Sequence, residues 1–472
     1  MDNRLAAAFN TSGKEEIPAH SQFASREMRS PEFLGRALRL WLPAWGLILT
    51  LLACSPDKTT VFPEATVYLT EAEGGYRLMR RGEEFVIRGV AGHEHLAKLK
   101  SIGGNTIRVY DTNGLGKILD SANAYDLAVI AGVWMMGKSE MDYTDSFMVA
   151  QQFQETREVI RRYRDHPALL MWCIGNEITY RASFSELWRP EPVWQAFAEL
   201  VDMVKEEDPN HPVTTTITNY QRKRLLYFKF RVPKLDLVGI NTFGRIEGLR
   251  QDASRYGWFF DMPFFLAEWA IPGPWECETT EWYTPIEPGS TEKALEYKRY
   301  YQEYIPHHDP RFLGSCAFYW GYKQEHTHTW FSLFSENGQP TAAVSALKAC
   351  WQGINAGNQV PEVDSLLING QSAADNLVVY PGQRLKADLF ASDPEGDEMI
   401  TQWELLPDQW HFDYRAVNRK PKPLSGYILR MDHQKLHMKA PEEEGAYRLF
   451  ARVSDSVSGG VSYINTCFLV TQ

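Results

Sequence analysis

Between residues 85 and 352 the chain repeats one pattern eight times: a short, almost uninterrupted apolar run followed by a longer segment able to form a helix. The runs are FVIRGV (85–90), NTIRVY (105–110), LAVIAGV (127–133), LLMWCI (169–174), PVTTTIT (212–218), LDLVGI (235–240), FFLA (264–267) and LGSCAFYW (313–320). Strands apolar at consecutive positions are buried on both faces, which happens when helices cover both sides of a parallel sheet. Eight such units in this length predict an α/β fold, a closed (β/α)8 TIM barrel. An open doubly wound sheet would place a glycine-rich phosphate loop after its first strand, and RGVAGHEH is not one. The clearest helix is SFMVAQQFQETREVIRRYR (146–164), with Phe147, Phe153, Val159, Ile160 and Tyr163 as its expected buried stripe; TEKALEYKRYYQEYI (291–305) is another.

The flanks read differently. TVYLTEAEGGYRLMRRGEEF (66–85) predicts a strand pair that closes the barrel floor, so the barrel domain is expected over 66–352. NAGNQVPEVD marks a polar linker (353–363), after which short alternating runs spaced by turns predict a C-terminal immunoglobulin-like β-sandwich (364–472). SDPEGDE (392–398) and ARVSDSVSGG resemble modules of the PKD or cadherin-like type. Asp393, Glu395 and Asp397 are calcium-ligand types, but the Pro and Gly among them mark a solvated turn first.

At the other end, Arg36 and Arg39 precede LWLPAWGLILTLLA (40–53), an uncharged run short for a membrane span but suited to a secretory leader. LLAC (51–54) resembles the lipobox of bacterial lipoproteins. That resemblance implies a leader over 1–53, with a true start near Met28, lipidation at Cys54, a linker over 54–65, and an exported, membrane-anchored protein. Of the remaining Cys173, Cys277, Cys316, Cys350 and Cys467, an odd number, at least one stays unpaired; no CxxC or Cys/His cluster points to a metal. A net charge of −11 without a basic stripe argues against nucleic acid as partner, and 15 Trp with 22 Tyr are a weak pointer to carbohydrate. Oligomeric state is not legible.

In a barrel of this kind the C-terminal strand ends surround the active site. Those ends carry His93, Glu94 and His95 (first), Arg108 with Tyr110 and Asp111 (second), Trp134 (third), Asn176 and Glu177 (fourth), Asn241 (sixth), Glu268 (seventh), and Tyr319 and Trp320 (eighth). Two carboxylates at opposing tips suit glycoside hydrolysis, where one acts protonated and the other ionised. The pattern alone does not separate this from metal chelation by Glu177, Glu268 and a nearby His.

DHPALLMWCIGNE (165–177) resembles the acid/base segment of glycoside hydrolase family 2 and its clan A relatives, and MPFFLAEWA (262–270) the nucleophile segment. RLMRRGEEFVIRGVA with LKSIGGNTIRVYDT is also similar to the opening of the family 72 β-1,3-glucanosyltransferases, and DPNHPVT (208–214) is a phrase common before the fifth strand. The resemblance spans about 66–352. It implies a retaining glycosidase, needing no metal or organic cofactor, with Glu177 as acid/base, Glu268 as nucleophile, and Arg108 keeping the nucleophile ionised. It also implies Asn176 at the sugar 2-hydroxyl. Asn241, His93, Trp134 and Trp320 are expected substrate contacts, Trp320 as a stacking platform. A transglycosylase would use the same residues, and a binding lipoprotein on a degenerate barrel is the non-catalytic rival. One departure stands out: where the clan places a nucleophile-bonding Tyr near the end of the sixth strand, GINTFG has Phe243, so another Tyr reaches in or the nucleophile does without. Trp275, Trp282 and Tyr283 in PGPWECETTEWYTPIEPGS (272–290), and the loop KQEHTHTW (323–330), receive no assignment.

Overall fold

A computed structural model describes residues 66–136, 141–178, 191–257, 261–353, 357–408 and 419–472. The leader, the lipobox and Cys54 lie outside these residues. Strands β1 (Val67–Ala72), β2 (Gly75–Arg80) and β3 (Glu83–Glu84) form a small antiparallel sheet. Val67 and Leu78 pack with Leu170, Met171, Leu237, Phe265 and Leu313 from the barrel interior, so this sheet closes the floor as expected.

The eight parallel strands are β4 (Ile87–Ala91), β5 (Thr106–Arg108), β6 (Ala128–Val133), β7 (Leu169–Ile174), β8 (Val213–Thr218), β9 (Leu237–Thr242), β10 (Phe264–Trp269) and β11 (Phe312–Ala317). They pair in sequence order, and β11 pairs β4 to close the ring. The helices α1 (Leu96–Ser101), α2 (Leu115–Ala124), α3 (Ser146–Tyr163), α4 (Pro192–Glu207), α5 (Arg222–Arg231), α6 (Leu249–Tyr256), α7 (Ser290–Arg299) and α8 (Ala342–Gln352) each follow one strand. Pro192 opens α4, where a missing N–H costs nothing, and Val193, Phe197, Leu200, Val201 and Val204 repeat at helical spacing on its buried face.

The stripe expected on α3 needs correction. Asp145 caps the helix by accepting from Phe147 N (2.9 Å), and the buried line is Gln152, Thr156 and Ile160, four residues apart. Phe147 is 75 % exposed, because the first turn projects it away from that line, while Phe153, Val159 and Tyr163 pack at its edge.

Two four-stranded sheets follow the barrel: β12 (Glu362–Ile368), β14 (Arg384–Ser392), β17 (Lys435–Lys439) and β16 (Ile428–Met431); and β13 (Val378–Val379), β19 (Val461–Val470), β18 (Gly445–Asp455) and β15 (Met399–Pro407). They share a core that includes Leu366, Leu389, Trp403, Leu436, Leu449 and Phe468, a β-sandwich. In the acidic turn, Asp393 Oδ1 accepts from the backbone N–H groups of Glu395 (3.0 Å) and Asp397 (2.9 Å), the pattern of a self-bonded Asx turn.

Barrel and sandwich pack within one unit. Glu287, fully buried, accepts from Lys293 Nζ (2.5 Å), the hydroxyls of Thr327 and Thr329 (2.7 Å each) and Asn465 Nδ2 of β19 (2.9 Å). Arg448 of β18 donates to Asp408 (2.9 Å), Asn465 (2.6 Å) and the Pro285 carbonyl (2.7 Å). Burial opposes the charge on Glu287, yet Lys293 and Arg448 hold its carboxyl down to about 2. Burial also pushes the Lys293 ammonium below its ordinary value, so the pair stabilises less than Glu287 alone suggests.

Candidate active site

Strand parity decides which side chains reach the barrel axis. Along β5 and the two residues after it, Ile107 and Val109 face the helices, so Arg108 and Tyr110 share the inward side. Gly132 of β6 makes room for this stretch: a Cβ there would lie 2.4 Å from the Val109 carbonyl oxygen. On β10, Phe265 and Ala267 point inward among the floor residues. Strict alternation would then turn Glu268 outward. Instead the pairing with β9 slips between Leu266 and Glu268. Glu268 therefore follows Ala267 into the barrel, while Trp269 packs outward on Tyr297 at 5.3 Å.

Glu268 meets a built receptor. Its Oε1 accepts from Arg108 Nη1 at 2.6 Å and from the Tyr110 hydroxyl at 2.8 Å. The Arg108 and Glu268 side chains are 1 % and 8 % exposed. The guanidinium also lies over the Tyr110 ring, 4.5 Å from its centroid. Burial, then the Glu268 charge, raises the Tyr110 phenol well above its ordinary value, so it remains a donor. The hydroxyl that the sixth strand lacks at Phe243 thus comes from the second. Phe243 instead packs against Trp275, Phe318 and Phe331.

Glu177 sits in a different environment. Gly175 (φ 67°) and Glu177 (φ 55°) both adopt left-handed backbone, which turns the chain sharply as β7 ends. A non-glycine residue there is held by its surroundings; Glu177 N donates to the Thr216 carbonyl and hydroxyl, both at 3.2 Å. Its Oε1 accepts from Asn241 Nδ2 at 2.8 Å. Burial first, and then the Glu268 charge, raise the Glu177 carboxyl above its ordinary value.

Asn176 joins the halves. Its Oδ1 accepts from Arg108 Nη2 (2.7 Å), Thr216 (2.8 Å) and Asn241 Nδ2 (3.2 Å). A continuous line therefore runs Glu268–Arg108–Asn176–Asn241–Glu177. DPNHPVT braces it from outside: Asp208 accepts from Trp172 Nε1 of β7 (2.7 Å) and pairs with His211 (2.9 Å).

The remaining expectations divide. Trp134 is 49 % exposed where β6 ends, and His93 is exposed after β4. Trp320 is corrected: it is 0 % exposed, donates Nε1 to the Glu94 carbonyl at 2.8 Å and meets Phe334 edge-on at 4.8 Å. It ties two loops together and has no face to offer a ring. The sequence places Tyr110 at its strand end without a role, although its spacing of two from Arg108 puts both on one face. Cys173, Cys277, Cys316, Cys350 and Cys467 are all free thiols. Among the described residues, the one group of three His, Cys, Asp or Glu side chains spaced for a metal is the Asp393 turn, away from these carboxylates.

Residues 105–234 match the family described as "Glycosyl hydrolases family 2, TIM barrel domain". The stretch from β5 to just past α5 is thus similar to that family. The family 2 match takes in Arg108, Tyr110, Asn176 and Glu177; Glu268 lies beyond it and is placed by geometry, and the likeness to family 72 rests on the quoted residues alone. Among curated proteins, the β-glucuronidase of Felis catus is 24% identical over 213 residues, 42% of this chain and 28% of that protein. The β-glucuronidase of Paenibacillus borealis is 25% identical over 205 residues, 37% of this chain and 33% of that protein. The chain thus spans a third or less of the length of these relatives. Among solved structures, β-D-glucuronidase of Dictyoglomus thermophilum gives a TM-score of 0.46 at 17% identity, covering 61% of this chain and 54% of that one. A Bacteroides uniformis β-glucuronidase gives 0.45 at 15% identity, covering 86% and 48%.

Proposed function

We propose that this protein is a retaining glycosidase acting on β-linked sugars, with Glu268 as nucleophile and Glu177 as acid/base. The observation that carries the reading is the pair of opposite environments at the two ends of one hydrogen-bonded line. Glu268 accepts hydrogen bonds from a buried guanidinium and a phenol; Glu177 is pushed toward its protonated form by burial and by Glu268. In the first step a Glu268 oxygen bonds the anomeric carbon as its bond to the leaving oxygen breaks, and Glu177 gives that oxygen its proton. In the second, water attacks the anomeric carbon, the bond to Glu268 breaks, and Glu177 takes the water's proton. Asn176, with its Oδ1 committed to three donors, keeps its Nδ2 for a sugar hydroxyl.

The curated relatives being β-glucuronidases, para-nitrophenyl β-glucuronide belongs in the first substrate set beside the β-glucoside, β-galactoside and β-mannoside. On whichever is cut, Glu268→Ala with azide yields an α-glycosyl azide and Glu177→Ala with azide a β-glycosyl azide. Identical azide products from both variants, or unchanged activity in either, would overturn the assignment.

A further inference from the structure

Trp275 is a large apolar side chain at this end of the barrel that the mechanism leaves unused, and its setting is built. Phe243, two residues past Asn241, begins an aromatic wall that continues through Phe331 and Phe318. Trp275 lies on that wall, edge-on to Phe243 at 5.8 Å and tilted on Phe331 at 6.2 Å. One face of the indole lies directly on Gly273: a Cβ there would fall 2.5 Å from its six-membered ring. The turn beneath is pinned, because Glu276 Oε2 accepts from Gly273 N (3.1 Å) and from Gly244 N (2.8 Å) at the end of the sixth barrel strand. The indole nevertheless remains 56 % exposed. A large ring held by glycine, two aromatics and a carboxylate clamp, yet open on one side, is preorganised to receive a flat apolar surface. At the end of the barrel that carries the two carboxylates, that surface is the C–H face of a pyranose.

We infer that Trp275 is a stacking platform for a second sugar ring, adjacent to the one being cleaved, so that the preferred substrate is an oligo- or polysaccharide. The inference rests on the glycosidase reading. Its test compares short β-linked gluco-, galacto-, xylo- and manno-oligosaccharides with the matching para-nitrophenyl monoglycosides, in wild type, Trp275→Ala and Gly273→Ala. The ratio of kcat/KM on the oligosaccharide to that on the monoglycoside falls about tenfold in both variants. Trp275→Phe, which keeps a smaller ring, recovers part of the ratio. An unchanged ratio overturns the platform and leaves Glu177 and Glu268 standing. If nothing is turned over, calorimetric binding of the same oligosaccharides separates the two ideas: binding lost in Trp275→Ala supports the platform while the hydrolase reading fails. Binding that is equal, or absent throughout, overturns the platform.

Discussion

Tyr110→Phe is the sharpest test of how the proposed nucleophile, Glu268, is oriented. It removes one oxygen, leaves the ring beneath the Arg108 guanidinium, and leaves the 2.6 Å ion pair between Arg108 and Glu268 in place. A hydrogen bond to a charged acceptor is worth about 1.5–3 kcal/mol, which caps the loss at roughly 10- to 150-fold in rate. Part of this is returned in the transition state, because Glu268 gives up negative charge as it bonds the anomeric carbon. What is not returned is direction: Oε1 keeps one donor instead of two, and small misplacements of a reacting atom cost up to about 100-fold. We therefore expect kcat/KM to fall about tenfold to fiftyfold on every substrate the protein cuts, monoglycosides included. The assay is steady-state hydrolysis of an activated aryl glycoside, on which kcat/KM reports formation of the glycosyl-enzyme. Wild-type kcat/KM in Tyr110→Phe, with the folded state intact by circular dichroism, would show that the second-strand hydroxyl does not replace the missing sixth-strand one.

Other outcomes follow from the same contacts. Asn241→Ala removes a bond that favours ionised Glu177, so the basic limb of the kcat/KM profile moves to higher pH; a limb that stays or moves down refutes Glu177 as the acid. Arg448→Met strands buried Asp408 and breaks a buried pair, which costs about 3–5 kcal/mol, so the apparent Tm drops by several degrees; an unchanged Tm refutes the joint. The Glu287 carboxyl is depressed to about 2, so its stabilisation is complete above the ordinary carboxylate range and is lost as pH falls from there toward 2. Glu287→Gln accordingly flattens the loss of Tm across that window, and an equally steep loss speaks against it. For the anchor proposed at Cys54, Cys54→Ser abolishes palmitate labelling and membrane association in a bacterial host, and persistent labelling removes the proposal.

The barrel was legible because strands buried on both faces advertise themselves. LLMWCI is the extent of β7 to the residue, and all six of its side chains are buried. The end of FFLA was less legible: pairing continues through Trp269, and the slip that turns Glu268 inward depends on neighbours the local pattern does not contain. Trp320 shows a second limit. An aromatic at a strand end reads alike whether it stacks on a ligand or donates to a carbonyl 226 residues away. Phe147 failed for a simpler reason, since a stripe drawn through the first turn ignores how the cap sets the helix phase. The role of Tyr110 is hard to read from sequence because the expected hydroxyl belongs to another strand, although parity with Arg108 aims it at the same carboxylate.

Neither loop that received no assignment is idle, and both lead to the sandwich. The segment between β10 and α7 is long for a barrel connection, and a long loop needs ties if it is to hold one shape. Its near end is fastened by Glu276 to Gly244. Its far end is fastened to the sandwich: Glu281 N donates to Asn376 Oδ1 at 2.7 Å, the Pro285 carbonyl accepts from Arg448, and Glu287 accepts from Asn465. The KQEHTHTW loop supplies the Thr327 and Thr329 hydroxyls to the same Glu287. Two loops that rise from neighbouring strand ends thus share one buried carboxylate, whose other partners are Lys293 of α7 and Asn465 of the second domain. Burying that charge is worthwhile only if all its bonds form together, which makes the arrangement all-or-none. The sandwich is then better understood as the outer brace of this loop wall than as an appended module, and the indole of Trp275, fixed on that wall, is the surface inferred above to take a second sugar ring.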